Sequence, residues 1–154
     1  DANNLYGWGM SQKLPVADFE WMKEEELAMD FINKCCDENS TTGCSVEVDL
    51  EYPAHLHDLH NDYPLCAEKV RVQDCMLSNW QKQVKGNLNI KSDKISKLVP
   101  NLFNKSHYTI HCQYLKFCLS QGMVLTKIHR GIKYTQKALN ETIYRFQYAK
   151  EAGD

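Results

Sequence analysis

Three groups of side chains in this 154-residue chain have types and spacings suited to chemistry. His55, His57 and His60, with Asp58 and Asp62 beside them, offer the imidazoles and carboxylates that zinc and neighbouring transition metals take as ligands. A metal needs three or four of these donors to converge. Spacings of one and two residues in a loop fit better a turn whose His and Asp side chains hydrogen-bond its own backbone. The second group is Lys127, His129, Arg130 and Lys133, partly alternating along a predicted strand. Lys127, His129 and Lys133 would share a face able to give phosphates charge-assisted hydrogen bonds, and a solvated strand face explains the pattern equally well. The third is the opening segment DANNLYG, with Asp1 five positions before Tyr6. In isolation it reads as a capped turn beside a core tyrosine, yet it also suits a metal-bound triphosphate. An aspartate at a strand terminus bridges two magnesium ions, the backbone after it faces phosphates, and a tight turn lays a tyrosine ring under a sugar.

Other chemistries are excluded. There is no G-x-x-x-x-G-K-[ST] loop, hence no P-loop nucleotidase, and no Cys-His or Ser-His-Asp arrangement stands out to support nucleophilic catalysis. The seven cysteines are odd in number, and adjacent Cys35 and Cys36 cannot form the C-x2-C hook of a zinc finger. No basic n-region or apolar h-region follows Asp1, so no signal peptide is visible. Together these lead to an expectation of buried or free thiols in a reducing, intracellular setting. With 18 basic and 20 acidic residues and a pI near 6.3, the surface as a whole is no electrostatic glove for nucleic acid, although a local basic strip is compatible with that balance. No apolar run approaches the roughly 18 residues of a membrane span, so no membrane partner is expected.

The elements that must position these groups follow from periodicity. Asp1 to Met10 reads as a short strand running into a glycine-punctuated loop, and Leu14-Pro15 as a break. Leu27, Phe31 and Cys35 recur at helical spacing, predicting an amphipathic helix over Glu24 to Cys36. The clearest strand is Cys44 to Tyr52, where Cys44, Val46, Val48, Leu50 and Tyr52 alternate with Ser45, Glu47, Asp49 and Glu51. One face is therefore buried and the other acidic. Ala54 to Leu65 has no clean period and reads as an ordered loop, and the Lys- and Asn-rich stretch Gln81 to Ser96 as a flexible or surface excursion. A helix is expected from about His107 to Gln121, capped by Asn104 or Ser106 and stopped by Gly122. A strand over Met123 to Tyr134 and a final helix over Gln136 to Ala149 complete a mixed α+β order.

At the first motif the residues become recognisable. Asp1-Ala2-Asn3-Asn4-Leu5-Tyr6-Gly7 resembles the first palm motif of family B DNA polymerases, usually Asp-x-x-Ser-Leu-Tyr-Pro, in its protein-primed branch of linear plasmids, viruses and Maverick/Polinton-like mobile elements. The Leu14-Pro15 segment, Glu47 to Leu65 (EVDLEYPAHLHDLHNDYPL) and Tyr114 to Tyr134 (YLKFCLSQGMVLTKIHRGIKY) resemble the same branch in the same order. The resemblance implies a palm fragment of α+β fold, followed by the insertion that contacts DNA and a priming protein. Residues 1–43 would be the palm segment, 44–134 the insertion region and 135–154 a poorly matched helical tail. It implies that Asp1 is the catalytic, magnesium-binding aspartate and that the Ala2 carbonyl completes the coordination shell. The amides of Asn4 and Leu5 would hold the triphosphate, and Tyr6 would pack under the sugar and exclude a 2′-hydroxyl. Implied partners are template-primer DNA, deoxynucleoside triphosphates, a terminal priming protein and the rest of a polymerase chain.

Two departures, Asn4 for Ser and Gly7 for Pro, remove no metal ligand. The lysine-bearing fingers motif (Lys-x-x-x-Asn-Ser-x-Tyr-Gly) and the second palm motif (Tyr-x-Asp-Thr-Asp) do not occur, and no exonuclease block precedes Asp1. Two-metal phosphoryl transfer needs a second carboxylate to hold the ions about 3.5–4 Å apart. The expectation is a section of a deoxynucleotidyl transferase, inactive by itself. The alternative is a degenerate mobile-element piece that binds DNA or protein through Lys127, His129, Arg130 and Lys133.

Overall fold

Alternation over Thr42–Glu51 sends Cys44, Val46, Val48 and Leu50 to one side, each at most 1% exposed, and half-buried Ser45, Glu47 and Asp49 to the other. This strand anchors a mixed α+β fold. The computed structural model describes residues 8, 9, 11–90 and 96–138. In chain order its elements are β1 (Lys13–Trp21), α1 (Met29–Cys35), β2 (Thr42–Glu51), β3 (Glu68–Arg71), α2 (Asn79–Asn87), β4 (Ser96–Val99), β5 (Lys105–His111), α3 (Cys112–Ser120) and β6 (Val124–Ala138). Single 3-10 turns occur at Glu24–Glu26, Ala54–Leu56 and Asp74–Met76.

Two units are distinct. The first takes in the described residues up to Glu51 and those from Ser106 onward, and the second is Tyr52–Lys105. The divisions thus fall at 51/52 and 105/106. In the first unit a four-stranded sheet has the order β1-β6-β2-β5, with β6 antiparallel to both β1 and β2. Helices α1 and α3 pack on β2 and on each other. Their Ile32, Cys35, Cys112, Leu115 and Cys118 are at most 2% exposed and meet the apolar face of β2. Each large aliphatic side chain buried there contributes about 1.5–3 kcal/mol. The second unit pairs β3 with β4 and carries α2. In it the Lys105 ammonium is fully buried, 2.9 Å from Glu68 Oε2, with the Asn101 side-chain and main-chain oxygens also accepting from it.

Several expectations need correction. Leu14-Pro15 does not break the chain: both residues lie in β1, an edge strand where a proline's missing N–H costs no ladder bond. The predicted helix over Glu24 to Cys36 splits into a 3-10 turn and the shorter α1. Glu26 folds back to accept from the Lys23 amide at 2.9 Å, and Ala28 is extended. The stretch expected as a flexible or surface excursion does lie largely at the surface over 81–90, but its first part belongs to α2, started by a reciprocal box in which the Ser78 hydroxyl accepts from the Gln81 amide and the Gln81 side chain from the Ser78 amide. The front half of the predicted helix at His107 is instead β5. His, Tyr, Thr and Ile at 107–110 favour strand, and pairing with β2 decides the matter. Helix α3 starts at Cys112, where His111 Nδ1 accepts from the Gln113 amide at 3.2 Å. Its end follows the sequence. Gly122 adopts φ 96°, and the amides of Gly122 and Met123 close on Leu119 and Cys118 in a Schellman motif. Strand β6 runs on through Gln136–Ala138, where a helix was expected; the rest of that helix, and the strand expected at the first motif, lie outside the described residues except for Trp8 and Gly9, which have helical geometry.

Candidate functional site

The acidic face of β2 gathers side chains from both neighbouring strands. Glu47 and Asp49 project there because the period of the strand requires it. On the β6 side, Glu47 pairs with Arg130 and Val48 with Ile128, so His129 is an extra residue in the ladder. Such a bulge lets consecutive side chains, His129 and Arg130, both reach the acidic face. On the β5 side, His107 has φ 52°, a left-handed conformation costly for a residue with a side chain and concentrated at functional sites. Two irregularities in the sheet therefore aim two imidazoles at one pair of carboxylates.

The distances are short. His107 Nδ1 lies 2.5 Å from Glu47 Oε1, and Arg130 Nε donates to Glu47 Oε2 at 2.5 Å. The His107 amide donates to Asp49 Oδ1 at 2.8 Å, while His129 Nε2 lies 2.8 Å from Asp49 Oδ2. That last approach lacks the alignment of a hydrogen bond, so the buried Nε2 is left without a hydrogen-bond partner. The two rings stack, with centroids 3.9 Å apart. Arg130 also lies over the Trp21 ring, 5.5 Å from its centroid. The Glu47 carboxyl is held below its ordinary range by the His107 hydrogen bond and then by Arg130. Asp49 is lowered first by the His107 amide and then by His129. Among the described residues, Asp49, His107 and His129 form the one group of three metal-ligating side chains whose donor atoms all lie within 4.8 Å of one another.

The other residues singled out from sequence fare differently. Asp1, Ala2, Asn4, Leu5 and Tyr6 lie outside the described residues. Of the basic strip, His129 and Arg130 meet Asp49 and Glu47, and Lys133 bonds Glu26 at 2.6 Å with Glu20 at 3.9 Å; Lys127 is exposed opposite Asp49 in the ladder. The strip is thus largely neutralised by carboxylates of its own chain. In the histidine-rich loop, His60 Nδ1 is 2.8 Å from the Tyr52 hydroxyl and His57 Nε2 3.2 Å from the Tyr52 carbonyl, so both histidines bond Tyr52, just ahead of the loop, where bonds to the loop's own backbone were expected. All seven cysteines are free thiols, and six are buried. Bonds from Cys44 and then His111 lower the Cys112 thiol to about 4, while bonds with Cys112 and then Cys35 raise Cys44.

Sequence reasoning found the acidic face but gave Glu47 and Asp49 no role, and it missed His107 by placing it in a helix. The strand portions of two matching strings, residues 47–51 and 124–134, are adjacent, since β2 pairs with β6 from Thr42↔Thr135 to Glu51↔Val124. Among the described residues no helix is long and apolar enough to cross a membrane. Comparison with protein-family models, with curated proteins and with solved structures finds no match.

Proposed function

We propose that the chain is a palm and insertion section of a protein-primed family B DNA polymerase, contributing to deoxynucleotide transfer onto a 3′-hydroxyl or a protein primer. The observation that carries this reading is the ordered occurrence of DANNLYG, EVDLEYPAHLHDLHNDYPL and YLKFCLSQGMVLTKIHRGIKY in one chain. The mixed α+β fold is compatible with it. Asp1 would supply one of the two carboxylates that a pair of magnesium ions needs, and Tyr6 would lie under the sugar. The chain holds one such carboxylate by resemblance. The histidine-rich group on β2, β5 and β6 has the wrong donor chemistry for magnesium. No step of the transfer is therefore assigned to the described residues.

The test uses the whole polypeptide encoded by the reading frame in which these residues lie. Supplied with magnesium, deoxynucleotides and a primed template, it should incorporate nucleotide, and Asp1→Asn should reduce incorporation to background. The 154-residue chain by itself should show none. Absence of incorporation by the full polypeptide, or indifference to Asp1→Asn, would overturn the reading.

A further inference from the structure

We propose that Asp49, His107 and His129 bind a divalent transition-metal ion of the zinc type, with Glu47 and Arg130 orienting the ligands. The site is separate from the magnesium chemistry proposed above. Its donors are two imidazoles and a carboxylate, a set that suits zinc, cobalt or nickel and that hard, oxygen-seeking cations do not select.

Three observations support it independently. The first is convergence: one donor atom from each residue lies within 4.8 Å of the other two, although the residues come from three different strands. The second is the orphaned nitrogen. His129 Nε2 and Asp49 Oδ2 are 2.8 Å apart without being aligned on each other. Buried ring nitrogens are normally satisfied, and an Nε2 held at ion-pair distance from a carboxylate but off the line of a hydrogen bond is open to a further ligand. The third is the support behind His107. Its Nδ1 is engaged by Glu47, which leaves Nε2 to carry the lone pair, and Glu47 is itself fixed by Arg130. A carboxylate behind a ligating histidine sets its tautomer and ring orientation in most protein metal sites.

Binding requires a modest adjustment, in which His107 closes in while His129 Nε2 and Asp49 Oδ2, 2.8 Å apart, open slightly. With metal–ligand bonds of about 2.0–2.1 Å, tetrahedral donors stand roughly 3.3 Å apart. His107 has room to close that distance, because its side chain is 61% exposed, whereas His129 is held at 16%. Three protein ligands on an open sheet face leave the fourth position to water.

The test is titration of zinc into the reduced 154-residue chain, together with cobalt as a spectroscopic probe. The expected result is one equivalent bound, with a cobalt spectrum free of any thiolate charge-transfer band. His107→Ala and His129→Ala should each weaken binding at least tenfold. Glu47→Gln, which keeps all three ligands and the side-chain shape, should weaken it by about 10–100-fold. Asp1→Asn should leave it unchanged. A stoichiometry near zero for the unaltered chain overturns the proposal without recourse to any variant. So does a thiolate band, or binding that persists undiminished when both histidines are replaced.

Discussion

The imidazoles of His107 and His129 stack face to face, with centroids 3.9 Å apart and planes 21° from parallel. Neither ring would be there in a regular sheet: one arrives through a left-handed residue in β5 and the other through an additional residue in β6. Both irregularities cost conformational energy, of order 1–3 kcal/mol for a left-handed residue with a side chain. The carboxylates that receive these rings, Glu47 and Asp49, stand on β2, whose burial alternates without a break from Cys44 to Leu50.

Glu47 should make the fold sensitive to acid. Its carboxyl is held below the ordinary range by His107 and Arg130, so its stabilisation is complete above the unfolded-state pKa of about 4.3 and fades as pH falls through the folded value. Glu47→Gln should lower the urea midpoint at pH 7, and the gap from the parent should narrow below about pH 4. A gap of constant size across that range would contradict the assignment.

Gly131 is required by space. A Cβ built there would lie 2.4 Å from Met22 Sδ and 2.9 Å from Val46 Cγ1, and Val46 is 1% exposed. Gly131→Ala should therefore cost about 1–3 kcal/mol in denaturant unfolding, the range for overpacking a filled core. A loss below about 0.5 kcal/mol would mean that the neighbours move aside.

Thiol accessibility checks the core directly. Cys75 is exposed and the other six cysteines are buried. Brief treatment of the native chain with a maleimide should label Cys75 alone, and denatured chain should take up seven equivalents. Rapid native labelling of Cys44 or Cys112 would contradict the packing of β2 against α3.

The basic strip on β6 should bind single-stranded DNA weakly. Arg130 and Lys133 are engaged by Glu47 and Glu26, which leaves Lys127 as the cation most open to a phosphate. Replacing Lys127, Arg130 and Lys133 together by alanine should change the slope of log affinity against log salt by about 0.7, rather than the roughly 2.1 of three phosphate contacts. The larger change would show that DNA displaces the internal carboxylates.

What could be read from sequence followed from local pattern. Strand β2 was visible because its alternation is unbroken, and the end of α3 because Gly122 is the residue a left-handed cap demands. What could not be read depended on partners distant in the chain. Residues 107–110 pair with β2 as strand despite a stripe at helical spacing, and Pro15 is tolerated because β1 lies at the sheet edge. The candidate metal ligands were half legible. Alternation placed Asp49 on the acidic face without giving it a role, and the bulge at His129 depends on the register of β6 against β2, which no local period encodes.

Strand β6 also dictates the order in which the sheet can be completed. It lies between β1 and β2, holding Pro15 opposite Gln136 and Glu51 opposite Val124. Until β6 is available, β1 has no partner in its sheet and β2 lacks its neighbour on that side. On a ribosome, the apolar row Cys44, Val46, Val48 and Leu50 must therefore wait through synthesis of the whole Tyr52–Lys105 unit before its ladder can close. Slow closure and a sticky nascent strand are the kinetic counterpart of such non-local pairing, with folding rate limited by the delivery of one late segment.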